Sequence, residues 1–344
     1  MSKERRPLVS ICMPAYNVGP VIGEALASVL SQTYANIEVI VVDDGSKDNT
    51  ADVAQSIRDP RFRYVRNETN LGGFQTMNRA IGLSTGEVVA VYHTDDVYEP
   101  TIVEKELAYL QAHPEAGAVF CLDHFIDYEG RVYGGLTMPP EFSGRDTFRY
   151  EDVFPFILRR KNALIRCPTF MARRTVLNEV GLFDAKTYDI VADLEMWLRI
   201  VRRYPIGILN ERLMRYRHGQ AQWTSRYNYL RTEPDLFFFA MDHYLKKDGW
   251  VDKLTPTDLT EYAFHRCDDE TFMAANWIIK GSPAEARQLL SHPYPWRTVF
   301  ANIRRRKLRV LCLRMLMRLG LAADALPFMS KLLLRTEYKK YSLQ

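Results

Sequence analysis

Cysteine is scarce in this sequence and shows no pattern. Cys12, Cys121, Cys167, Cys267 and Cys312 stand far apart, are odd in number and include no Cys-x-x-Cys pair. That excludes a disulfide framework and a zinc site, and it fits a reducing cytosol. Long apolar runs are missing too: none approaches the roughly 18 consecutive apolar residues that a helix needs to cross a bilayer. The opening MSKERRPLVS is charged and gives way to a strand pattern at once. The expectation is a chain without an apolar signal segment, soluble or at most peripheral to a membrane. Low-complexity tracts are absent, and 47% hydrophobic with 26% charged residues is an ordered globular composition. A formal net charge of +4 gives no ground for a nucleic-acid partner. The basic residues are nevertheless crowded late, at Arg304, Arg305, Arg306, Lys307, Arg309, Arg314 and Arg318.

Two stretches carry the chemistry, IEVIVVDDGSKDNT (37 to 50) and EVVAVYHTDD (87 to 96). Each is a run of apolar, mostly β-branched residues that ends in two aspartates, as a buried parallel strand does when its tip holds something polar. In open α/β sheets ligands bind beyond the carboxyl ends of the strands, so Asp43, Asp44, Asp95 and Asp96 are expected to face one pocket. Taken alone, DDGSKD also reads as a turn and a helix cap, because short polar side chains accept from free N–H groups there.

The 344 residues suffice for one large α/β domain with an appendage, or for two small domains. Residues 9–17, 36–44, 61–66, 87–94 and 117–122 are predicted strands. They alternate with predicted helices over 21–32, 49–57, 74–83 and 101–112. Such alternation calls for an α/β fold with a mostly parallel central sheet flanked by helices. Residues 123–148, rich in Gly, Tyr, Pro and polar groups, read as a hairpin or a loop over the site. Residues 193–200 repeat apolar positions at helical spacing, with Asp193 near the helix start. By residue type alone Asp193 is a helix cap, and Tyr16 is a strand-end tyrosine packed on the next helix. Beyond 226, helices are predicted over 227–245, 257–279, 283–290 and 299–334, with breaks at 281–283 and 293–295.

Several ordered motifs resemble the family-2 inverting glycosyltransferases of the GT-A (Rossmann-like) fold. They are Pro14-Ala-Tyr-Asn17, Val42-Asp-Asp-Gly-Ser46 with Asp48 and Thr50, Asn70-Leu-Gly72, Asn78, Thr94-Asp-Asp96, Gly181-Leu-Phe-Asp184 and Asp193-Leu-Glu-Met-Trp-Leu-Arg199. The resemblance covers about residues 7–225. It implies a nucleotide-sugar-binding half over 7–122, an acceptor and catalytic half over 123–225, and a separate helical region over 226–344.

It also implies roles for particular residues. Pro14, Ala15, Tyr16, Asn17, Asp43, Asp44, Asn70, Asn78, Thr94, Asp95 and His218 would contact the nucleotide-diphospho-sugar donor, with Tyr16 stacking on the base and Asp43 or Asp44 accepting from a uracil or thymine imide. Asp95, Asp96 and His218 would hold Mn2+ or Mg2+ against the diphosphate. Asp193 would be the general base that deprotonates the acceptor, a glycan or a lipid-linked sugar. Two departures stand out. His93 replaces the first acid of the usual metal motif, so it reads as a hydrogen-bond donor to the sugar or a plain strand residue ahead of a ligand. Ala192 replaces the glutamate before the base.

The implied activity is metal-dependent transfer from a UDP- or dTDP-sugar in polysaccharide or cell-surface glycan synthesis. The expected place is the cytoplasm, at the inner face of the membrane. The basic and apolar residues of 303–335 suit peripheral contact with anionic lipid, and packing or homodimer formation is the other use for these helices. Two alternatives remain. One is a sugar-nucleotide pyrophosphorylase, although residues 9–20 lack the Gly-rich basic loop it needs. The other is a catalytically silent scaffold subunit.

Overall fold

A computed structural model describes residues 6–218, 230–247, 249–296, 305–323 and 325–342. The chain forms two compact units, Met1–Phe154 with Asn162–His218, and Pro155–Lys161 with Gly219–Gln344. The division falls at His218 rather than at 225, and residues 155–161 go with the second unit.

The first unit is built on a ten-stranded sheet. Strands β1 (Val9–Ala15), β2 (Ile37–Asp43), β3 (Phe62–Arg66) and β4 (Val88–Val91) lie in the order β3-β2-β1-β4, all parallel. Helices α1 (Gly19–Leu30), α2 (Thr50–Gln55) and α3 (Gly73–Leu83) connect them. The sequence indicates this half well because strands buried on both faces read as unbroken Val/Ile runs. The predicted strand 87–94 ends early, at Val91. Tyr92 N–H still donates to the Cys12 carbonyl of β1 at 3.1 Å, but that of His93 donates to Tyr98 Oη at 2.6 Å instead of a neighbouring strand.

After β4 the parallel alternation stops. The two-residue β5 (Val97–Tyr98) precedes α4 (Ile102–Ala112), and β6 runs over Ala118–Ile126, past its predicted end. It turns at Gly130 into antiparallel β7 (Val132–Gly135), the hairpin expected in 123–148. Next come β8 (Thr147–Phe148), α5 (Tyr150–Arg160), β9 (Phe170–Arg173), α6 (Arg174–Val180), α7 (Ala185–Tyr188), α8 (Ala192–Val201) and the long β10 (Ile206–Arg217). Strand β9 lies antiparallel between β4 and β6, and β10 runs parallel to β6. The buried Trp197 packs α8 against Phe170 and Phe120, with ring centroids 4.4 and 5.0 Å away. Offset and edge-on ring pairs of this kind add to the area they bury.

The second unit is helical over its described residues: α9 (Leu236–Lys246), α10 (Pro256–Ile279), α11 (Pro283–Ser291), α12 (Arg305–Ala322) and α13 (Leu326–Ser342). A reciprocal Thr255–Asp258 capping box starts α10. The predicted 227–245 helix begins in the structure at Leu236, and residues 227–229 lie outside the described ones. The predicted 299–334 helix is two helices, with Pro327 at the second position of α13, where a missing N–H costs little. Ala274, Ile278, Leu290, Met317, Leu321, Met329 and Leu333 form its core.

The core of the first unit contains one ionisable cluster. Glu106 is fully buried and accepts from Tyr92 Oη at 3.1 Å, while its Oε1 has no partner. Burial pushes its carboxyl well above the usual range, outweighing the hydrogen bonds from Tyr92 and Cys121. The folded state therefore holds a neutral acid where the unfolded chain is ionised above about pH 4.3. Stability then falls as pH rises from that value toward the folded-state pKa, by about 1.4 kcal/mol per pH unit. Glu106→Gln keeps the shape and the Tyr92 acceptor. Denaturant unfolding between about pH 4.5 and about pH 7.5 is expected to show a steeper decline in wild type than in the variant. Equal slopes would mean that Glu106 is ionised in the fold.

Candidate active site

Parallel pairing puts the carboxyl ends of β1, β2 and β4 side by side, and the loops leaving them present N–H groups that need acceptors. The residues of 43–50 supply many of them. Ser46 Oγ accepts from Asn17 N–H at 2.9 Å, Asp48 Oδ2 from Gly19 N–H at 2.9 Å, and Thr50 Oγ1 from Val18 N–H at 2.9 Å. In return Asn17 Oδ1 accepts from Lys47 N–H at 2.8 Å. Asn17 sits at φ 52°, a left-handed conformation that asparagine tolerates better than most residues. The motif thus fastens the loop after β1 and leaves Tyr16, 42% exposed, at the rim of the crevice.

The two tip aspartates of β2 are buried and engaged. Asp43 accepts from Ser46 N–H at 2.8 Å and Tyr64 Oη–H at 2.6 Å. Asp44 Oδ1 accepts from the Asn67 amide and from Leu71 N–H, both at 2.7 Å, and Oδ2 from Gly72 N–H at 2.8 Å. Its carbonyl accepts from Asn70 Nδ2 at 3.2 Å. The carboxylates expected to read a base also shape the loops around them. Asn78 is also engaged: Nδ2 donates to the Phe183 carbonyl at 2.7 Å, and Oδ1 accepts from Phe183 N–H at 3.1 Å. Thr94 Oγ1 donates to the Pro14 carbonyl at 2.7 Å, tying the tips of β4 and β1. Pro14 and Ala15 lie in β1 beneath these loops.

The acidic turn after β4 gathers His93, Asp95 and Asp96, with one ligand atom of each within 4.8 Å of the others. Asp96 is buried. Its Oδ1 accepts from Arg217 N–H at 2.8 Å, whereas Oδ2 has no hydrogen-bond partner and lies 3.9 Å from His93 Nδ1. His93 Nε2 is likewise buried without a partner. Burial pushes the Asp96 carboxyl well up, with Asp95 adding to the effect, and pushes His93 down. Orphaned oxygen and imidazole donors in so small a space fit a divalent cation, which restores the charge balance that burial upsets. His93 is placed among the candidate ligands, ahead of the reading its sequence position suggested.

His218 is placed elsewhere. Its ring stacks on Phe125 with centroids 5.1 Å apart and meets Tyr216 edge-on, and its Nδ1 bonds the Tyr133 hydroxyl. Among the described residues the group of candidate ligands does not include it. Residues 219–229, which follow His218, lie outside the described residues.

Asp193 stands at the start of α8, its Oδ1 accepting from its neighbour Leu194 N–H at 2.7 Å. Burial raises its carboxyl to about 6, against a smaller downward pull from that bond. Two other acids near the start of α8 differ from it. Glu195 is buried and paired with Arg199 at 2.8 Å, and Asp189 is exposed. The buried Cys167 thiol, just before β9, is raised first by burial and then by the charges of Asp193 and Asp96. It therefore lies within electrostatic reach of both acids.

Three further residues complete the site. Arg217 is buried and donates from Nε to the Asp95 carbonyl at 2.9 Å, from Nη1 to the Tyr128 carbonyl at 2.9 Å, and from Nη2 to Glu24 at 2.6 Å. Arg166 and the buried Asp123 form an ion pair at 3.1 Å. No local pattern announces these residues, since the side-chain partners of Arg217 lie 89 to 193 positions away.

The matching family model is "Glycosyl transferase family 2", over residues 10–181. The Bacillus subtilis protein TuaG, named for teichuronic acid biosynthesis, is 28% identical over 215 residues, 62% of this chain and 79% of its own. Among solved structures, Staphylococcus aureus TarS 1–349 in complex with UDP-GlcNAc aligns with TM-score 0.52 at 17% identity, over 82% of this chain and 87% of that one. The Pyrobaculum calidifontis mannosyltransferase PcManGT, in complex with GDP-Man and Mn2+, aligns with TM-score 0.52 at 19% identity, over 96% and 87%. Those likenesses establish the GT-A fold. With half of its length matched by the family model and its acidic strand tips gathered on a GT-A sheet, the chain belongs to glycosyltransferase family 2.

Proposed function

We propose that the protein is an inverting glycosyltransferase that moves a sugar from a UDP- or dTDP-sugar to a glycan or lipid-linked acceptor in polysaccharide or cell-surface glycan synthesis. What supports this is a pair of buried acids, Asp193 with its carboxyl raised to about 6 and Asp96 with an orphaned oxygen, both within electrostatic reach of Cys167. The acceptor oxygen attacks the anomeric carbon from the face opposite the diphosphate. As that bond forms, the bond from carbon to the β-phosphate oxygen breaks, and its electron pair leaves with the nucleoside diphosphate. Asp193 takes the acceptor proton. A carboxylate with a pKa near 6 is ionised at neutral pH yet basic enough to share that proton in the transition state.

His93, Asp95 and Asp96 would hold a divalent cation, which supplies positive charge beside the diphosphate when bound. Exposed Tyr16 offers a face to the base, and Asn17 stands beside it. A UDP-sugar in TarS supports the donor class, and the name of TuaG supports a polysaccharide. Family membership sets aside the pyrophosphorylase alternative.

The C-terminal helices refine the proposed membrane contact. Arg306 pairs with Asp268, Lys307 with Glu261, and Arg314 and Arg318 donate to carbonyls at the end of α11. Those four are engaged within their own unit. What α12 and α13 expose is an apolar stripe, Leu308, Met315, Leu316, Leu319 and Phe328, with Arg309, Lys331 and Arg335 also exposed. We assign this face to an anionic lipid surface, which such a mixture of apolar and basic groups suits.

Release of free nucleoside diphosphate from a panel of nucleotide sugars with Mn2+ tests the activity, and no release from any donor with any acceptor would leave a silent subunit. Asp193→Asn is expected to lower transfer by roughly 10²–10⁴-fold with donor affinity kept. Wild-type transfer is expected to rise with pH through about 6, because the base must be ionised. Turnover of Asp193→Asn with the wild-type pH profile would leave Asp193 a structural residue.

Asp96→Asn should weaken Mn2+ binding by at least tenfold in calorimetry while the melting temperature holds. Unchanged Mn2+ affinity would put the metal elsewhere. For the tail, Leu316→Glu with Leu319→Glu changes only exposed positions, whereas deleting the helix would remove core residues. The double variant should lose binding to phosphatidylserine vesicles at low salt, and wild-type binding should weaken as salt shortens the screening length to about 10 Å at 0.1 M. Equal binding by both proteins would assign the stripe to another partner.

A further inference from the structure

The ion pair of Asp123 and Arg166 stands outside the acid and base roles assigned above. Asp123 lies on β6 with no exposed surface, and neither carboxylate oxygen has a hydrogen-bond partner. Arg166 Nε is 3.1 Å from its Oδ2, so charge alone joins them. The guanidinium lies over two rings, its central carbon 4.8 Å from the Tyr216 centroid and 5.7 Å from that of Phe125. About a quarter of the Arg166 side chain remains exposed. Among the described residues its terminal amino groups make no hydrogen bond. Burying a carboxylate beside an arginine without hydrogen bonds is costly unless something more binds there. A planar fork held on aromatic faces, with its outer donors open, is suited to an oxyanion.

Its position says which one. The Arg166 charge acts on Tyr216 together with those of Asp96 and Asp95, and it also acts on His218. Tyr216, beneath the guanidinium, precedes Arg217, whose backbone N–H donates to Asp96 at 2.8 Å, which puts the fork beside the acidic turn. Arg217, the other guanidinium there, is engaged with Glu24 and backbone carbonyls. We propose that Arg166 binds the diphosphate of the nucleotide sugar, donating to the phosphate oxygens that gain charge as the sugar leaves. Asp123 is the positioning residue: it holds Nε and aims the outer edge of the fork. This inference rests on the glycosyltransferase reading and adds to it a cation that the chain itself supplies.

Calorimetry with pyrophosphate and with UDP, each with Mn2+, tests it on the full-length protein. Arg166→Gln should weaken both at least tenfold, and uridine binding should not change. Arg166→Lys keeps the charge without the fork and should fall between. Asp123→Asn removes the competing charge and should raise pyrophosphate affinity while lowering kcat. A brace with no ligand would instead lower the melting temperature in both Arg166→Gln and Asp123→Asn with affinities unchanged, which overturns the inference. Loss of transfer with pyrophosphate affinity and donor hydrolysis intact would move Arg166 to the acceptor and overturn it as well. If wild type binds neither probe, the glycosyltransferase reading fails and this one with it. If wild type and Arg166→Gln bind them equally, only this inference fails.

Discussion

Parallel strands end together, and the loops that leave them present unpaired N–H groups to one crevice. The rest of the first unit depends on how those groups are satisfied. Side chains of 43–50 and Asn17 do it almost alone, through Asp43, Asp44, Ser46, Asp48 and Thr50, each accepting from the backbone of a loop. A loop fixed at several points keeps its shape before any ligand arrives. The exposed residues of these loops include Tyr16, Asn17 and Lys47.

The second acidic tip follows the opposite rule. Strand β4 stops at Val91, and Tyr98 takes the His93 N–H, so the turn beyond curls back on itself. Asp96 meets a backbone N–H with one oxygen only. Arg217 closes the turn from the far end of the unit but offers its charge to Glu24 and its other donors to carbonyls. The turn is therefore rigid in its backbone and unbalanced in its side chains, a combination that favours a cation. Two pairs of aspartates that look alike in sequence thus differ in how fully their oxygens are hydrogen-bonded.

In the second unit, arginine does the work of helix caps. Arg314 and Arg318 converge on the carbonyls of Leu290 and His292 at the end of α11, where a helix presents partial negative charge and acceptors without partners. A run of basic residues thus becomes internal structure, and the exposed character of these helices is more apolar than their composition suggests.

The sequence by itself determined the first half of the fold and the family. Unbroken Val and Ile runs, helical spacing between them and the ordered motifs are local patterns, and each maps onto one element. It also placed Asp193 at a helix start and Asp96 at a strand tip. Only the tertiary structure decided which carboxylates are free. Whether Asp44 meets three donors or none depends on Asn67, Leu71 and Gly72, 23 to 28 residues away. The mixed strand order after β4, the grouping of His93 with Asp95 and Asp96, the packing of His218 on Phe125 and the pairing of Arg166 with Asp123 belong to the same class. Charge and hydrogen bonding act over a few ångströms in space, and periodicity along a chain carries no record of which distant residue will be there.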